Sequence, residues 1–180
     1  MPRTCIAVLL LVFVSICCEG GVPKDKAART PALREPTKFL DVSGTVAGLD
    51  LQLEIEYQTH DPKCRVALSR LEGAYSPATY HHAVPVVRDG NRYTAKVPLD
   101  VVGETGCGWA PFAINYIALI DGKPQKQPVP PTPLVWFREG APESLPPVRT
   151  ECRGRICAIA PGEGFLSPGA RRLELDFARR

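Results

Sequence analysis

Between Leu49 and Gln58 the chain reads LDLQLEIEYQ, with Leu49, Leu51, Leu53, Ile55 and Tyr57 alternating without exception against Asp50, Gln52, Glu54, Glu56 and Gln58. A period of two puts every apolar side chain on one face of a strand and every polar one on the other, whereas helical spacing would smear both sets round a cylinder. The segment is therefore a half-buried antiparallel strand. The rest of the chain has to supply partners and a second apolar surface for it.

Proline enforces the same choice throughout. There are 19 prolines in 180 residues, about double the usual ~5%, and each removes a backbone donor and interrupts a helix. A largely helical fold is excluded. A short strand is expected at Lys38 to Val42 and a weaker one at Cys64 to Leu71. Val84 to Arg88 and Arg92 to Val97 flank Asp89-Gly90-Asn91, the pattern of a hairpin. Phe112 to Ile120 is apolar at nearly every position, as a central strand covered on both faces should be. Asp121-Gly122 turns the chain into a proline-rich connector at 124–133 that favours extended polyproline geometry. Leu134 to Phe137 is a short strand, and Ala141 to Pro147 a second proline-rich loop. Beyond it come Cys152 to Ala160 and the alternating Arg172 to Phe177. Many short strands separated by turn signals predict an all-β, mostly antiparallel domain: a small β-sandwich.

The N-terminus carries an address. Arg3 precedes the apolar run Ile6 to Ile16, too short for a transmembrane helix and right for a signal peptide over residues 1–20. Cleavage after Gly20 places Cys18 and Gly20 at the small-residue positions. Cys17 and Cys18 are candidates for lipidation, although Ile16 is large for the position before an acylated cysteine. Residues 21–37 are charged, proline-broken and poor in large apolar groups, and read as a flexible tether. Residues 38–180 then form one domain. The net charge is +3 with the basic residues scattered, so a nucleic-acid partner, which needs a concentrated basic patch, is not expected.

The mature body holds Cys64, Cys107, Cys152 and Cys157, and an even number in an exported chain predicts disulfides. Cys64 follows the long alternating strand and Cys107 precedes the central one. If those strands are antiparallel, the two cysteines share a sheet end and pair. The chain-entropy model assigns a loop of that length ~4 kcal/mol. Cys152 and Cys157 bracket a tight hairpin and pair locally. Structural zinc would need cysteines two to four apart in two clusters, and only one such approach exists here.

Few residues suggest chemistry. His60, His81 and His82 are the histidines. The His81–His82 pair beside Tyr80 could bind a metal or act as acid and base; its plainer reading is a solvated loop, SPATYHHAVP, following a proline. Glu54 and Glu56 share one strand face and read as its wet side. No HExxH, Gly-x-Ser-x-Gly or phosphate-binding glycine motif occurs, and no cofactor is implied. In Cys107-Gly108-Trp109-Ala110-Pro111, Trp109 is either a binding hot spot or a core tryptophan shielding the disulfide. Trp136 is most simply core. The strand count, the long-range disulfide and the nearby Trp109 resemble immunoglobulin-like domains in general architecture. Here, however, the tryptophan follows the second cysteine instead of lying between the two.

These features lead to an exported binding protein of a bacterial periplasm or envelope, a setting inferred from the short leader and the lack of Asn-x-Ser/Thr sites. It would act through loops 73–83, with Tyr75, Tyr80, His81 and His82, and 103–111, with Trp109. The expected partner is another exported or envelope protein, as for an inhibitor or immunity protein. Membrane contact would come only through a lipid anchor. The alternatives are a small exported hydrolase using His81 or His82 as base, and a structural envelope component.

Overall fold

The computed structural model describes residues 31–46, 51–69, 73–103, 106–120, 123–124, 132–153, 156–159 and 164–179. The leader, Cys17, Cys18 and residues 21–30 lie outside them. The strands are β1 Phe39–Thr45, β2 Leu51–Thr59, β3 Val66–Ser69, β4 Ala74–Ser76, β5 Thr79–Val84, β6 Val86–Asp89 and β7 Arg92–Pro98. They continue as β8 Trp109–Ile120, β9 Lys123–Pro124, β10 Thr132–Phe137, β11 Val148–Arg153, β12 Ile156–Ile159, β13 Phe165–Leu166 and β14 Arg172–Arg179. Among the described residues one 3-10 turn, Pro62–Cys64, interrupts them, and there is no α-helix.

The strands form two six-stranded sheets and a small β3–β4 hairpin. The first sheet runs β12-β11-β14-β1-β7-β6, and the second β13-β10-β8-β2-β5 with β9 added on β8. The alternating segment behaves as its pattern requires: Leu51, Leu53, Ile55, Tyr57 and Thr59 are buried while the residues between are half-buried. β8 lies between β10 and β2, and Ala113, Ile114, Asn115 and Tyr116 are buried in succession. Both of its faces are therefore covered there. Buried residues of both sheets, among them Leu40, Val42, Leu53, Ile55, Ile114, Leu175 and Phe177, form one cluster.

Three pairings depart from the antiparallel expectation. β14 is parallel to both β1 and β11, and β10 is parallel to β13, so the sheets are mixed. Alternation in Arg172 to Phe177 announces a strand face but not its neighbours, and the C-terminal strand lies inside the first sheet. A second difference is at SPATYHHAVP, expected as a loop. Thr79–Val84 is strand β5, paired along its length with β2. Pro85 ends it and sends the chain into β6 of the other sheet.

The Cys64–Cys107 disulfide is present, with Cα atoms 5.7 Å apart. Cys152 is also disulfide-bonded, and its register partner across the β11–β12 hairpin is Cys157, whose side chain is not among those described. Within the segment read as a tether, residues 32–37 are bonded to the body. Gly103 N donates to Ala32 O (2.7 Å), Arg34 N to Val101 O (2.8 Å) and Thr37 N to Asp100 Oδ1 (2.9 Å).

Two buried tyrosines fasten backbone to backbone. Tyr57 Oη of β2 donates to Pro98 O at the end of β7 (2.5 Å), linking the sheets. Tyr93 Oη of β7 donates to Leu175 O of β14 (2.6 Å). Between these two strands, Gly44 of β1 is the register partner of Tyr93. A Cβ on Gly44 would stand 2.1 Å from Leu175 O, a backbone atom that cannot yield. The glycine is what lets β14 approach and the phenol reach it. Gly44→Ala is expected to lower stability in urea titrations by about 3 kcal/mol, the upper end for overpacking. A change within the ~0.5 kcal/mol of an ordinary surface substitution would contradict this.

Candidate functional site

The end of the molecule that holds the disulfide is assembled from three loops. Thr59, the last residue of β2, donates its N–H to Ala78 O, and its hydroxyl accepts from Ala78 N, both at 3.0 Å. His60 N donates to Gly108 O (3.1 Å) and Asp61 N to Cys107 O (3.3 Å). Gly106 and Gly108, at φ 76° and 59°, supply left-handed turns that a side chain would strain. Asp61 Oδ1 accepts from Lys63 N (2.8 Å) and starts the 3-10 turn that delivers Cys64. The segments around 78 and 107–109 thus meet through the end of β2.

A cleft of about 490 Å³ opens here, lined by Trp109, Tyr57, Arg34, Asp61 and Asp100 together with loop glycines. That volume lies within the ~300–1,000 Å³ of small-ligand sites. Trp109 is half-buried and packs against the core cluster. Asp100 is the best-partnered polar group in the cleft. Its Oδ1 accepts from Thr37 N and Lys38 N (both 2.9 Å), and its Oδ2 from the Thr37 hydroxyl (2.7 Å) and Arg34 (3.4 Å). Burial alone would raise the Asp100 carboxyl, but the Thr37 hydroxyl, the two backbone N–H groups and Arg34 outweigh it and hold it below its ordinary range. Arg34 also donates through Nε to Asp100 O (2.8 Å) and is half-exposed. The Tyr57 phenol is pushed well above its ordinary range by burial.

The structure divides the other expected contact residues. Tyr75 is exposed on the β3–β4 hairpin. Tyr80 and His82 face inward and are half-buried, with Tyr80 6.4 Å from both the Tyr57 and the His82 rings. His81 points the opposite way, because consecutive strand residues alternate faces, so the histidine pair cannot share a ligand. On that outer face His81 Nδ1 lies 2.6 Å from Glu54 Oε1, and the Glu54 side chain is only 12% exposed. Read as a wet strand side, this carboxylate is instead a largely covered partner. Trp136, expected in the core, also faces outward, half-buried and 5.8 Å from the Phe165 ring. β10 turns Val135 and Phe137 inward, and their neighbour must point out.

Asn115, on the same outer face, is 1% exposed; its Nδ2 donates to Glu56 Oε2 (3.3 Å). Its Oδ1 has no partner, an omission that costs roughly 1–3 kcal/mol in a buried acceptor. Among the described residues no three His, Cys, Asp or Glu are placed to hold a metal ion. No helix among them is long and apolar enough to cross a membrane.

Sequence reasoning missed Arg34, Asp61 and Asp100. The only signal for Asp100 is a lone charge inside Leu99-Asp100-Val101-Val102; for Arg34 and Asp61 there is none.

The hydrogen bond to Glu54 raises the His81 pKa above its ordinary value; burial opposes this, and the charges of Glu54 and Glu56 add to it. A raised folded-state value means the pair stabilises fully below the unfolded pKa, ~6.5, and the contribution is lost as pH rises through the folded value. NMR titration should find His81 above 6.5 in the wild type and back near it in Glu54→Gln; identical midpoints would contradict the contact.

No family model, curated protein or solved structure matches this chain.

Proposed function

We propose that this is an exported binding protein of a bacterial envelope, whose loop end takes up a protruding side chain of another exported protein. The observation that carries the reading is the cleft itself. Half-buried Trp109 stands in it with a cation, Arg34, and an anion, Asp61. A tryptophan beside an arginine is the pairing enriched at interface hot spots. The leader at 1–20 supports export. In the same reading the two sheets stack as a sandwich over their common core, and Cys152 pairs with its register partner Cys157. An inhibitor or immunity protein is the concrete version of this function.

One observation favours a second reading. Glu54 on His81 Nδ1 leaves Nε2 as the working nitrogen of a carboxylate-oriented imidazole, the arrangement of a general base. In a hydrolase the base would be His81, since His82 faces inward.

The two readings separate in one experiment. Wild type, Trp109→Ala, His81→Ala and Val87→Asp (an exposed residue outside the cleft) are used to capture proteins from the native envelope, with melting curves confirming their fold. A partner held by wild type, His81→Ala and Val87→Asp but weakened about thirtyfold by Trp109→Ala is expected for a hot-spot residue. Equal retention by Trp109→Ala overturns the proposal.

A further inference from the structure

The second sheet stops at β5, and among the described residues no strand lies beyond it. Register fixes which backbone groups face that edge. Thr59 N donates to Ala78 O, so Thr59 and Ala78 form a hydrogen-bonded pair, and in an antiparallel ladder such pairs alternate with non-bonded ones. Tyr80, His82 and Val84 therefore exchange bonds with Tyr57, Ile55 and Leu53 of β2, while the N–H and C=O of Thr79, His81 and Ala83 point away from it. None of those three donors and three acceptors has a partner among the described residues.

Sheet edges are ordinarily blunted by a lysine, an inward charge, a proline, a bulge or a very short strand. β5 has none of these. It runs six residues, Thr79–Val84, without Asp, Glu, Lys, Arg or Pro, and its register with β2 carries no bulge. Pro77 and Pro85 stand outside its two ends. The inner face is open in the same way. Tyr80 packs on the core cluster and lies 6.4 Å from the His82 ring, yet both residues are only half-buried, since no strand flanks them on the side away from β2.

We propose that β5 is the surface through which two copies of this chain associate, with β5 antiparallel to β5 of the second copy about a two-fold axis at His81. The unpaired groups sit at His81 and two residues to either side. That register matches Thr79 with Ala83 of the second copy and His81 with its own counterpart, so every free N–H meets a free C=O. It also sets Tyr80 against His82 of the second copy, and the reverse by symmetry. Each half-buried ring is covered by the ring that the other copy leaves open, an aromatic contact a foreign strand would have to supply at the same spacing. On the outer face the two His81 imidazoles meet, each already held on its own Glu54, and Thr79 and Ala83 bring no charge beside them. The surface matches itself in hydrogen bonds, in rings and in the lack of opposed carboxylates or lysines. The proposal does not draw on the loop-end cleft.

The test is sedimentation equilibrium of the full mature chain from about 1 μM to about 1 mM, the range of weak to moderate association, with amide hydrogen exchange measured at both ends. The mass is expected to climb toward twice that of one chain. Exchange at Thr79, His81 and Ala83 should slow in proportion, while Tyr80 and His82, already bonded to β2, hold their rates. Ala83→Pro and Thr79→Pro remove donors that face the free edge and leave the ladder to β2 intact, the one place a strand tolerates proline. Each is expected to weaken association at least about tenfold. Melting curves report their folding, and either variant alone suffices if the other does not fold. A chain that stays monomeric across the range, a dimer whose three edge amides exchange as fast as in the monomer, or a dimer indifferent to the folded proline variants would overturn the proposal.

Discussion

One buried carboxylate organises the end of the molecule that we read as functional. Asp100 stands two residues beyond the end of β7, and its two oxygens gather Thr37 N, the Thr37 hydroxyl, Lys38 N and Arg34. A buried charge is tolerated only when its hydrogen-bonding capacity is filled, so the segment that fills it is fixed along with it. That segment leads straight into β1, whose first residue, Phe39, pairs with Pro98. Register set at this point runs through β1, and β14 is laid down on the other side of β1. The same carboxylate and Arg34 are lining residues of the cleft.

The exit of β7 is also where the two sheets are joined by a hydrogen bond. Tyr57 reaches across from β2 to Pro98 O, two residues before Asp100. Tyr93 ties the other end of β7 to β14 over Gly44. Both hydroxyls are buried and satisfied, which turns potential desolvation costs into constraints on where strands can lie. Across the cleft, the Cys64–Cys107 bridge and the paired loops at 59–61, 78 and 107–108 hold Trp109. One wall is therefore electrostatic and the other covalent.

The sequence shows some of this directly. Alternation in β2 and unbroken apolarity in β8 are intrinsic to their segments, and each specifies its own burial. Their antiparallel pairing then brings Cys64 to Cys107, which is why that bridge was legible. β14 was legible as a strand but not as an interior parallel one, because periodicity encodes a face and leaves the neighbour open. β5 was hidden: Thr-Tyr-His-His-Ala-Val has no clean alternation and sits between prolines, and it becomes a strand only because β2 offers an edge. For the site, Trp109 stood out by its company of cysteine, glycine and proline. Arg34 and Asp100 did not, since their meeting spans 66 residues. Trp136 was misplaced for the reason that hid β5, the lack of a second strand to say which face is outside.

The account turns on Asp100 as the fastening of the cleft wall, and amide hydrogen exchange on Asp100→Asn reads this residue by residue. The account predicts that Thr37 and Lys38 lose protection by at least about tenfold, the loss of one charge-assisted bond being worth more than ~1.4 kcal/mol. Arg34 and Gly103, bonded to the same stretch, should follow, while Leu53 and Ile55 in β2 keep their protection. Wild-type protein should show the same selective loss as pH falls through the depressed pKa of Asp100, because its stabilising contribution is present above the ordinary carboxylate range and disappears on protonation. Protection at Thr37 and Lys38 that is unchanged in Asp100→Asn would contradict the account.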